Sequence, residues 1–207
     1  MAIRDLLWAC PQCGREGGLQ PARDRAEVCT ACRTTFRRGR GASIVAVTPD
    51  GTSLELSPAE WVGRLPDLES IERFRADRPE HAALHEERAR ARFVDGERII
   101  RKGRTFMNRV ETFGPYIDGR LRLDAMRITF RPDRGEARGW TLDSITAVQP
   151  SSSTLQIKAR GEGVVSFTFP DGSARFWEEI VCLALRRRFR QTGKGEIIEF
   201  QPRIVAR

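Results

Sequence analysis

The sequence predicts a mainly β protein with helices, of the α+β class, in which a small cysteine-bearing head precedes a larger sheet domain. Three observations lead to this prediction: two close pairs of cysteines near the N-terminus, short apolar stretches with a period of two in the second half, and one amphipathic helical pattern after them. We therefore expect a head at 1–48, an acidic helical linker at 49–95, a sheet domain at 96–192 and an extended tail at 193–207.

The charge of the chain is unevenly distributed. The 207 residues include 36 Lys+Arg and 28 Asp+Glu, which give a formal net charge of +8. The head carries +4, the linker −4 and the remainder +8. A positive excess suits nucleic acid, an anionic membrane surface or an acidic protein, but the acidic middle is not expected of a general polyanion binder. No apolar run approaches the ~20 residues that span a bilayer, so we do not expect a transmembrane protein.

The head contains the pattern C-x2-C-x15-C-x2-C, formed by Cys10, Cys13, Cys29 and Cys32. Two tight turns with this spacing can direct four thiolates at one tetrahedral metal ion, and four protein ligands leave no position open for water. The pattern therefore predicts a structural Zn²⁺ site. Two disulfides are the competing interpretation. The N-terminal residues lack the pattern of a signal peptide, so we expect a reducing, cytoplasmic location, which favours zinc.

These residues resemble the zinc-ribbon family, in particular its CPxCG type of knuckle. Residues 10–14 match the first knuckle and 29–32 the second, although Arg33 stands where glycine is usual. The resemblance covers about a fifth of the chain. It implies a metal-held module that serves nucleic-acid binding, protein docking or structure alone. Four arginines could bind phosphates or form a solvated hairpin face: Arg33, Arg37, Arg38 and Arg40.

A strand is expected at 43–47, at the end of the head, and the acidic linker after it is expected to form helices. Ser57, Pro58 and Glu60 form a helix-start pattern, with a capping serine, proline at the first helical position and glutamate three residues after the cap. Apolar residues continue at helical spacing through Phe74, and a second, mostly charged helix is predicted at 79–93.

Two histidines, His81 and His85, lie four residues apart on this second predicted helix. The zinc-protease pattern needs glutamate directly after the first histidine, and Ala82 occupies that position. We therefore expect both histidines to be solvated side chains.

The sheet domain is predicted from seven apolar stretches separated by turn signals, at 98–101, 105–110, 119–123, 127–131, 140–148, 154–159 and 164–169. Their alternation predicts an antiparallel meander with one buried face. A helix should follow, through about residue 190, with an apolar stripe from Trp177 to Leu185. Cys182 lies among apolar neighbours and is expected to be a packed thiol. Arginines near the helix end suit the helix dipole or an anionic partner: Arg186, Arg187, Arg188 and Arg190.

Residues 95–190 resemble the pleckstrin-homology-like superfold and, more narrowly, a GRAM-type domain, on the patterns at 118–130 and 140–148. The resemblance implies a seven-stranded β-barrel or sandwich capped by a C-terminal helix, without catalytic activity, that docks to lipid head groups or to proteins at membranes. Its phosphoinositide-binding members carry basic residues on the first two strands. That place is occupied here by Arg101, Lys102, Arg104 and Arg109, which could equally form an ordinary basic sheet face.

The sequence contains no recognisable catalytic constellation, so we do not expect an enzyme. Our leading hypothesis is a non-enzymatic adaptor, cytoplasmic and peripheral on the membrane, that docks a protein partner and an anionic membrane surface or lipid head group. The alternative is a nucleic-acid-binding zinc-ribbon protein in a transcription- or ribosome-associated role. The tail at 193–207 is too apolar for a solvated end, and we expect it to pack as an added strand or to dock on a partner.

Overall fold

The computed structural model describes residues 2–75, 79, 82–103, 105–150 and 153–193, with the backbone alone described at 101, 102, 106–110 and 150. The predicted tail from residue 194 onward lies outside the described residues. Three helices are α1 (Ile3–Leu6), α2 (Pro58–Val62) and α3 (Ala174–Thr192). The strands are β1 (Leu19–Pro21), β2 (Glu27–Cys29), β3 (Thr35–Arg38), β4 (Ile44–Val47), β5 (Ser53–Leu56), β6 (His85–Lys102), β7 (Thr105–Phe113), β8 (Ile117–Leu123), β9 (Arg127–Pro132), β10 (Arg138–Thr141), β11 (Ile145–Pro150), β12 (Leu155–Ala159) and β13 (Val164–Thr168).

The head extends past residue 48 to include β5 and α2, and it is built on a five-stranded antiparallel meander in the order β1-β2-β3-β4-β5. Phe36 on β3 is fully buried and packs edge-to-face on Trp61 of α2, with 5.6 Å between ring centroids. The indole N–H of Trp61 donates to the carbonyl of Ile44, at 2.8 Å. Helix α2 begins with the predicted capping box, because Ser57 and Glu60 each bind the other's backbone N–H. The strand expected at 43–47 is confirmed as β4, and it pairs with β5 beyond residue 48.

The second half forms an antiparallel sheet in the order β10-β9-β8-β6-β13-β12-β11, with β7 paired to β6. The mainly β class with a C-terminal helix is thus confirmed. Within the described chain β10 and β11 end the sheet without pairing to each other, so no closed barrel is present. The strand predicted at 140–148 is interrupted, because a 3₁₀ turn at Leu142–Ser144 separates β10 from β11.

The helix predicted at 79–93 is wrong, because residues from His85 onward form the long strand β6. Ala89 and Ala91 are buried there, and β6 pairs with β8 on one side and with β13 on the other. The expected domain boundary at 95/96 therefore falls inside a strand. The apolar residues that lead to Phe74 lie in two 3₁₀ turns instead of a helix.

Helix α3 forms as predicted. The hydroxyl of Ser173 accepts a hydrogen bond from the N–H of Phe176, at 3.3 Å, and Gly193 ends the helix in the left-handed conformation. Its apolar stripe is buried in the core of the sheet domain, with Trp177 and Ile180 fully inaccessible. No helix in the described part of the chain is long and apolar enough to cross a membrane.

The head and the sheet domain meet at residues 5–9. Leu7 is buried in the core of the head, whereas the next residue, Trp8, is buried in the core of the sheet domain. The indole N–H of Trp8 donates to Glu179 at 2.9 Å, and its ring lies 4.8 Å from that of Phe176. The Ser173 hydroxyl also donates to the Asp5 carbonyl, at 2.8 Å. Two successive side chains thus tie the two cores together.

Candidate metal centre

The first cysteine pair lies in a tight turn that follows α1. The N–H of Gly14 donates to the carbonyl of Cys10 at 2.8 Å, and Gly14 has a φ of +73°. A residue in this left-handed region lets the chain reverse directly after Cys13, and glycine adopts it without a steric penalty. The turn brings the sulfurs of Cys10 and Cys13 to one side of the chain.

The second cysteine pair repeats this turn at the end of β2. The N–H of Arg33 donates to the carbonyl of Cys29 at 2.9 Å, and Arg33 has a φ of +63°. Arg33 therefore adopts the conformation of Gly14 despite its side chain, at a cost of about 1 kcal/mol. Arginine in place of glycine therefore makes the second turn less favourable, but the backbone of the second turn matches that of the first.

The two turns bring all four predicted ligand sulfurs together. The Sγ atoms of Cys10, Cys13, Cys29 and Cys32 lie within 4.8 Å of one another. Cys10 and Cys32 are 3.6 Å apart, and Cys13 and Cys29 are 3.7 Å apart. Sulfurs about 2.3 Å from a tetrahedral metal ion would be about 3.8 Å apart, whereas the sulfurs of a disulfide are about 2.05 Å apart. The four cysteines are therefore placed so that they could bind one metal ion such as zinc.

Backbone N–H groups in the turns point at the sulfurs. Burial raises the pKa of the Cys10 thiol, and hydrogen bonds from the N–H groups of Gln12 and Cys13 oppose that rise. Burial likewise raises the pKa of Cys13, against a hydrogen bond from the N–H of Arg15. Such bonds orient metal-bound thiolates and reduce their negative charge.

Cys32 differs from Cys10 and Cys13 in its acidity. Burial raises its pKa, but hydrogen bonds with Thr34 and with the neighbouring thiols of Cys10 and Cys29 together lower the pKa to about 6. The Thr34 hydroxyl lies 3.2 Å from Cys32 Sγ and is itself buried.

Glu27 is a buried residue of this region that sequence analysis missed. Its carboxylate accepts the backbone N–H groups of Ile3 at 3.1 Å and Arg4 at 2.6 Å, and so fixes α1 against β2. Burial raises its pKa, whereas the N–H and the charge of Arg4 lower it. A glutamate two residues before a ligand cysteine gives no sequence signal of this role, because its partners lie at the other end of the head.

The predicted anion-binding residues fall into two groups in the structure. The first group lies on the hairpin of β6 and β7. Arg101 and Lys102 are on β6 and Arg109 is on β7, and for these three residues only the backbone is described. Arg104 lies outside the described residues.

The arginines at the end of α3 form the second group. Arg187 pairs with Glu69 at 3.3 Å, and Arg188 pairs with Asp143 at 2.7 Å. Arg186 lines a cavity of about 900 Å³ between α3, β11 and residues 62–69. At least two of the four arginines near the helix end thus hold α3 to neighbouring segments.

Cys182 and His85 are not part of the metal centre. Cys182 lies on the wall of the same cavity, and burial raises its pKa to about 11, as expected of an unreactive packed thiol. The prediction that His85 is a solvated side chain on a helix is wrong. His85 is half-buried on β6, 3.3 Å from Glu87, and its ring lies against those of Phe176 and Trp177. His81 lies outside the described residues.

Comparisons with known proteins do not define a family for this chain. No protein-family model matches it, and no curated protein shows a significant match. Among solved structures, it is similar to the C-terminal domain of an unknown protein from Leishmania infantum, with 11% identity and a TM-score of 0.32 over 48% of this chain and 82% of that one. The functional argument therefore rests on the residues of the chain itself.

Proposed function

We propose that the head binds one structural Zn²⁺ through Cys10, Cys13, Cys29 and Cys32. The observation that carries this proposal is the convergence of four sulfurs at near-tetrahedral separations, with N–H donors already directed at them. Four protein ligands leave no position for water or substrate, which assigns the ion to folding. Such a head has no reactive metal, so it acts through the surface that the metal holds in place.

The metal proposal is tested on the full-length protein by elemental analysis and intact mass. We expect about one zinc per chain. Iron in place of zinc would revise the identity of the ion, since four thiolates also suit iron. A metal-free protein whose mass shows two disulfides would overturn the proposal.

We propose that the whole chain is a non-enzymatic adaptor, cytoplasmic and peripheral on the membrane. Its zinc ribbon would dock a protein partner, and its pleckstrin-homology-like or GRAM-like sheet domain would dock an anionic membrane surface. Support for that fold comes from the seven strands from β10 to β11 in one antiparallel path and from the C-terminal helix packed on β11 and the 3₁₀ turn before it.

We place the docking surface by comparing two sets of basic residues in the sheet domain. Arg187 and Arg188 are engaged by Glu69 and Asp143, so the end of α3 is a poor candidate. The β6–β7 hairpin contains Arg98, Arg101, Lys102, Arg104 and Arg109 in its sequence. It also extends beyond the rest of the sheet, because from Val94 onward β6 pairs only with β7 in the described chain. This projection of a basic hairpin is the observation that carries the membrane half of the proposal.

Sedimentation with vesicles tests the membrane half with the full-length protein. We expect binding to vesicles that contain phosphatidylserine and not to pure phosphatidylcholine, with loss of binding at high salt. Charge reversal at Arg101, Arg104 and Arg109 together should abolish binding. The matched control reverses the exposed Arg33, Arg37 and Arg40 of the head, which changes the net charge equally.

The control also separates the alternative function. Equal loss in both triple variants would indicate general charge attraction, and no binding at low salt would overturn the membrane half. A gel shift with nucleic acid that only the head variant loses would favour the nucleic-acid-binding alternative.

A further inference from the structure

The strands β6, β8 and β9 have an apolar inner face and an outer face that is rich in arginine. Alternate residues of these strands are buried in the core of the sheet domain: Ala89, Ala91, Leu121, Leu123, Ile128 and Phe130. Because successive side chains of a strand point to opposite faces, the residues that alternate with these point outward. Ten residues form this outer face: arginines at 88, 90 and 92 of β6, 120 and 122 of β8, and 127 and 131 of β9, together with Glu86, Asp118 and Thr129.

The outer face carries a formal charge of +5, from its seven arginines and two carboxylates. The neighbouring strands of the same sheet do not share this charge. Five residues of β12 and β13 point outward by the same alternation, and only Lys158 among them is charged. The concentration of arginine is therefore a property of one face and not of the whole chain, and such a patch attracts an anionic partner.

Three of the arginines form a row across the three strands. Arg88 of β6 lies directly opposite Arg120 of β8, and Arg120 lies directly opposite Arg131 of β9. Side chains in directly opposite positions have Cβ atoms about 5 Å apart, and like charges placed there destabilise a sheet. An anionic surface laid across the row would remove this repulsion.

The acidic neighbours of the row offset it only in part. Arg88 pairs with Asp133 at 3.0 Å and Arg120 pairs with Glu86 at 2.9 Å, but the two arginine side chains remain 55% and 54% exposed. Exposed ion pairs stabilise a protein little, so these arginines can exchange a carboxylate for a lipid phosphate. The paired arginines at the end of α3 differ, since their side chains are only 19% and 20% exposed.

Aromatic rings lie against one end of the outer face. The guanidinium of Arg90 lies 4.7 Å from the centre of the Tyr116 ring, and that of Arg92 lies 5.1 Å from Tyr116 and 4.8 Å from Phe113. In the described part of the chain, Tyr116 is the only aromatic residue among the exposed large apolar side chains, and two arginines lie against it. Single-stranded nucleic acid is bound by stacking of bases on open rings, so this face suits it less well than it suits lipid head groups.

We propose that the outer face lies flat on the head groups of an anionic bilayer, where Arg88, Arg120 and Arg131 bind lipid phosphates and carboxylates. This inference rests on the proposed membrane docking and adds to it the orientation of the sheet domain. β6 runs from the outer face directly into the β6–β7 hairpin, so both basic surfaces share one strand. Helix α3 is buried against the inner face and would point away from the bilayer.

The test neutralises the row in the full-length protein. Arg88→Gln/Arg120→Gln/Arg131→Gln is compared with the control Arg33→Gln/Arg37→Gln/Arg40→Gln, which changes the net charge equally at exposed positions of the head. Vesicles contain phosphatidylcholine with about one third phosphatidylserine. We expect the row variant to bind about a hundredfold more weakly, because each basic side chain at an anionic surface contributes roughly fivefold, and the control within about threefold of the original protein.

Two further measurements exclude a loss of folding or of a specific arginine contact. The row variant should unfold at the same temperature as the original protein or at a higher one, because neutral side chains remove the repulsion within the row. Arg88→Lys/Arg120→Lys/Arg131→Lys keeps the charge and should bind vesicles within about threefold of the original protein. Equal loss of binding in the lysine and glutamine variants would overturn the proposal, because charge would then not be what the bilayer recognises.

A second readout measures the orientation directly. Lipids with a gadolinium chelate on the head group broaden the NMR signals of nearby backbone amides, and bicelles with the same share of phosphatidylserine carry them. We expect the amides of β8 and β9 to be broadened most and those of α3 least. Equal broadening of the two sets, or stronger broadening of α3, would overturn the proposed orientation.

The outcomes separate this inference from the docking proposal. Binding of the original protein and of the row variant with equal affinity would overturn the role of the outer face and leave docking through the hairpin intact. Failure of the original protein to bind any anionic vesicle would overturn both. Binding to nucleic acid that only the row variant loses, without vesicle binding, would assign the face to nucleic acid and overturn the inference.

Discussion

The head and the sheet domain differ in the size of their buried cores. Among the residues that the structure describes, the core of the head has nine buried members, and two of them are the candidate ligands Cys10 and Cys29. The core of the sheet domain has 28 in the same described ranges, of which Trp8 and Ala9 come from the head. A core as small as that of the head cannot offset the conformational entropy of folding, whereas the larger core can. We therefore expect the head to depend on the proposed metal ion and the sheet domain to be stable through apolar burial alone.

Replacement of one candidate ligand cysteine should have the largest effect, because it should unfold the head and leave the sheet domain folded. We expect Cys29→Ser to abolish zinc binding and unfold β1 to β5, since structural zinc contributes on the order of 10 kcal/mol to such modules. Cys182→Ser is the matched control, because it removes a thiol from α3 and should leave the zinc in place. Elemental analysis and circular dichroism measure both. A metal-bound, equally stable Cys29→Ser would show that the head does not depend on the site.

Truncation of a buried aromatic residue should destabilise the sheet domain and leave the head unaffected. Trp177 is fully buried, stacks on Phe169 at 5.3 Å and donates to Glu87 at 2.6 Å. Trp177→Ala should destabilise the sheet domain by about 4 kcal/mol, because it leaves a large cavity. Thermal unfolding gives the stability, and zinc content should be unchanged at room temperature. Loss of zinc in this variant would mean that the two regions fold as one unit.

The contact between the regions should have a smaller effect. Trp8→Phe keeps an aromatic ring against Phe176 but removes the hydrogen bond to Glu179. We expect a loss of about 1 kcal/mol, as is typical of one hydrogen bond, and a wider separation of the unfolding transitions of the two regions. Calorimetry measures that separation. If only one region unfolded at a lower temperature and the unfolding temperature of the other did not change, coupling of the two regions through Trp8 would be contradicted.

The turn after the second cysteine pair should give the smallest effect and the opposite sign. Arg33→Gly removes the strain of a left-handed arginine, and we expect the head to gain about 0.5–1 kcal/mol. Gly14→Ala makes the reverse change in the equivalent turn and should cost a similar amount, since a new Cβ would meet Pro66 only at an ordinary 3.6 Å. Denaturant titration of the zinc-bound proteins compares the two. Destabilisation by Arg33→Gly would show that the arginine side chain contributes more than its strain costs.

The sequence predicts the parts whose signals are local. The cysteine spacing alone predicts the cluster of sulfurs, because each pair lies in its own short turn. The Ser57 capping box and the apolar stripe of α3 are likewise complete within a few residues, and both are confirmed.

Prediction from sequence fails where long-range pairing decides the structure. Residues 85–93 are rich in Glu, Arg and Ala, which favour helices, and β6 forms there because β8 and β13 provide partners on both sides. The strict alternation of Ala89 and Ala91 with arginines was the available strand signal. The interruption at 142–144 and the buried role of Glu27 depend equally on distant residues.

Hydrogen exchange before and after zinc removal tests the central claim most directly, that a metal holds the head and an apolar core holds the sheet domain. The full-length protein is treated with a chelator, and the exchange of backbone amides in β1 to β5 is compared with that in β8 to β13. We predict that protection is lost in the first set and kept in the second. Retained protection in the head, or equal loss in both sets, would contradict the account.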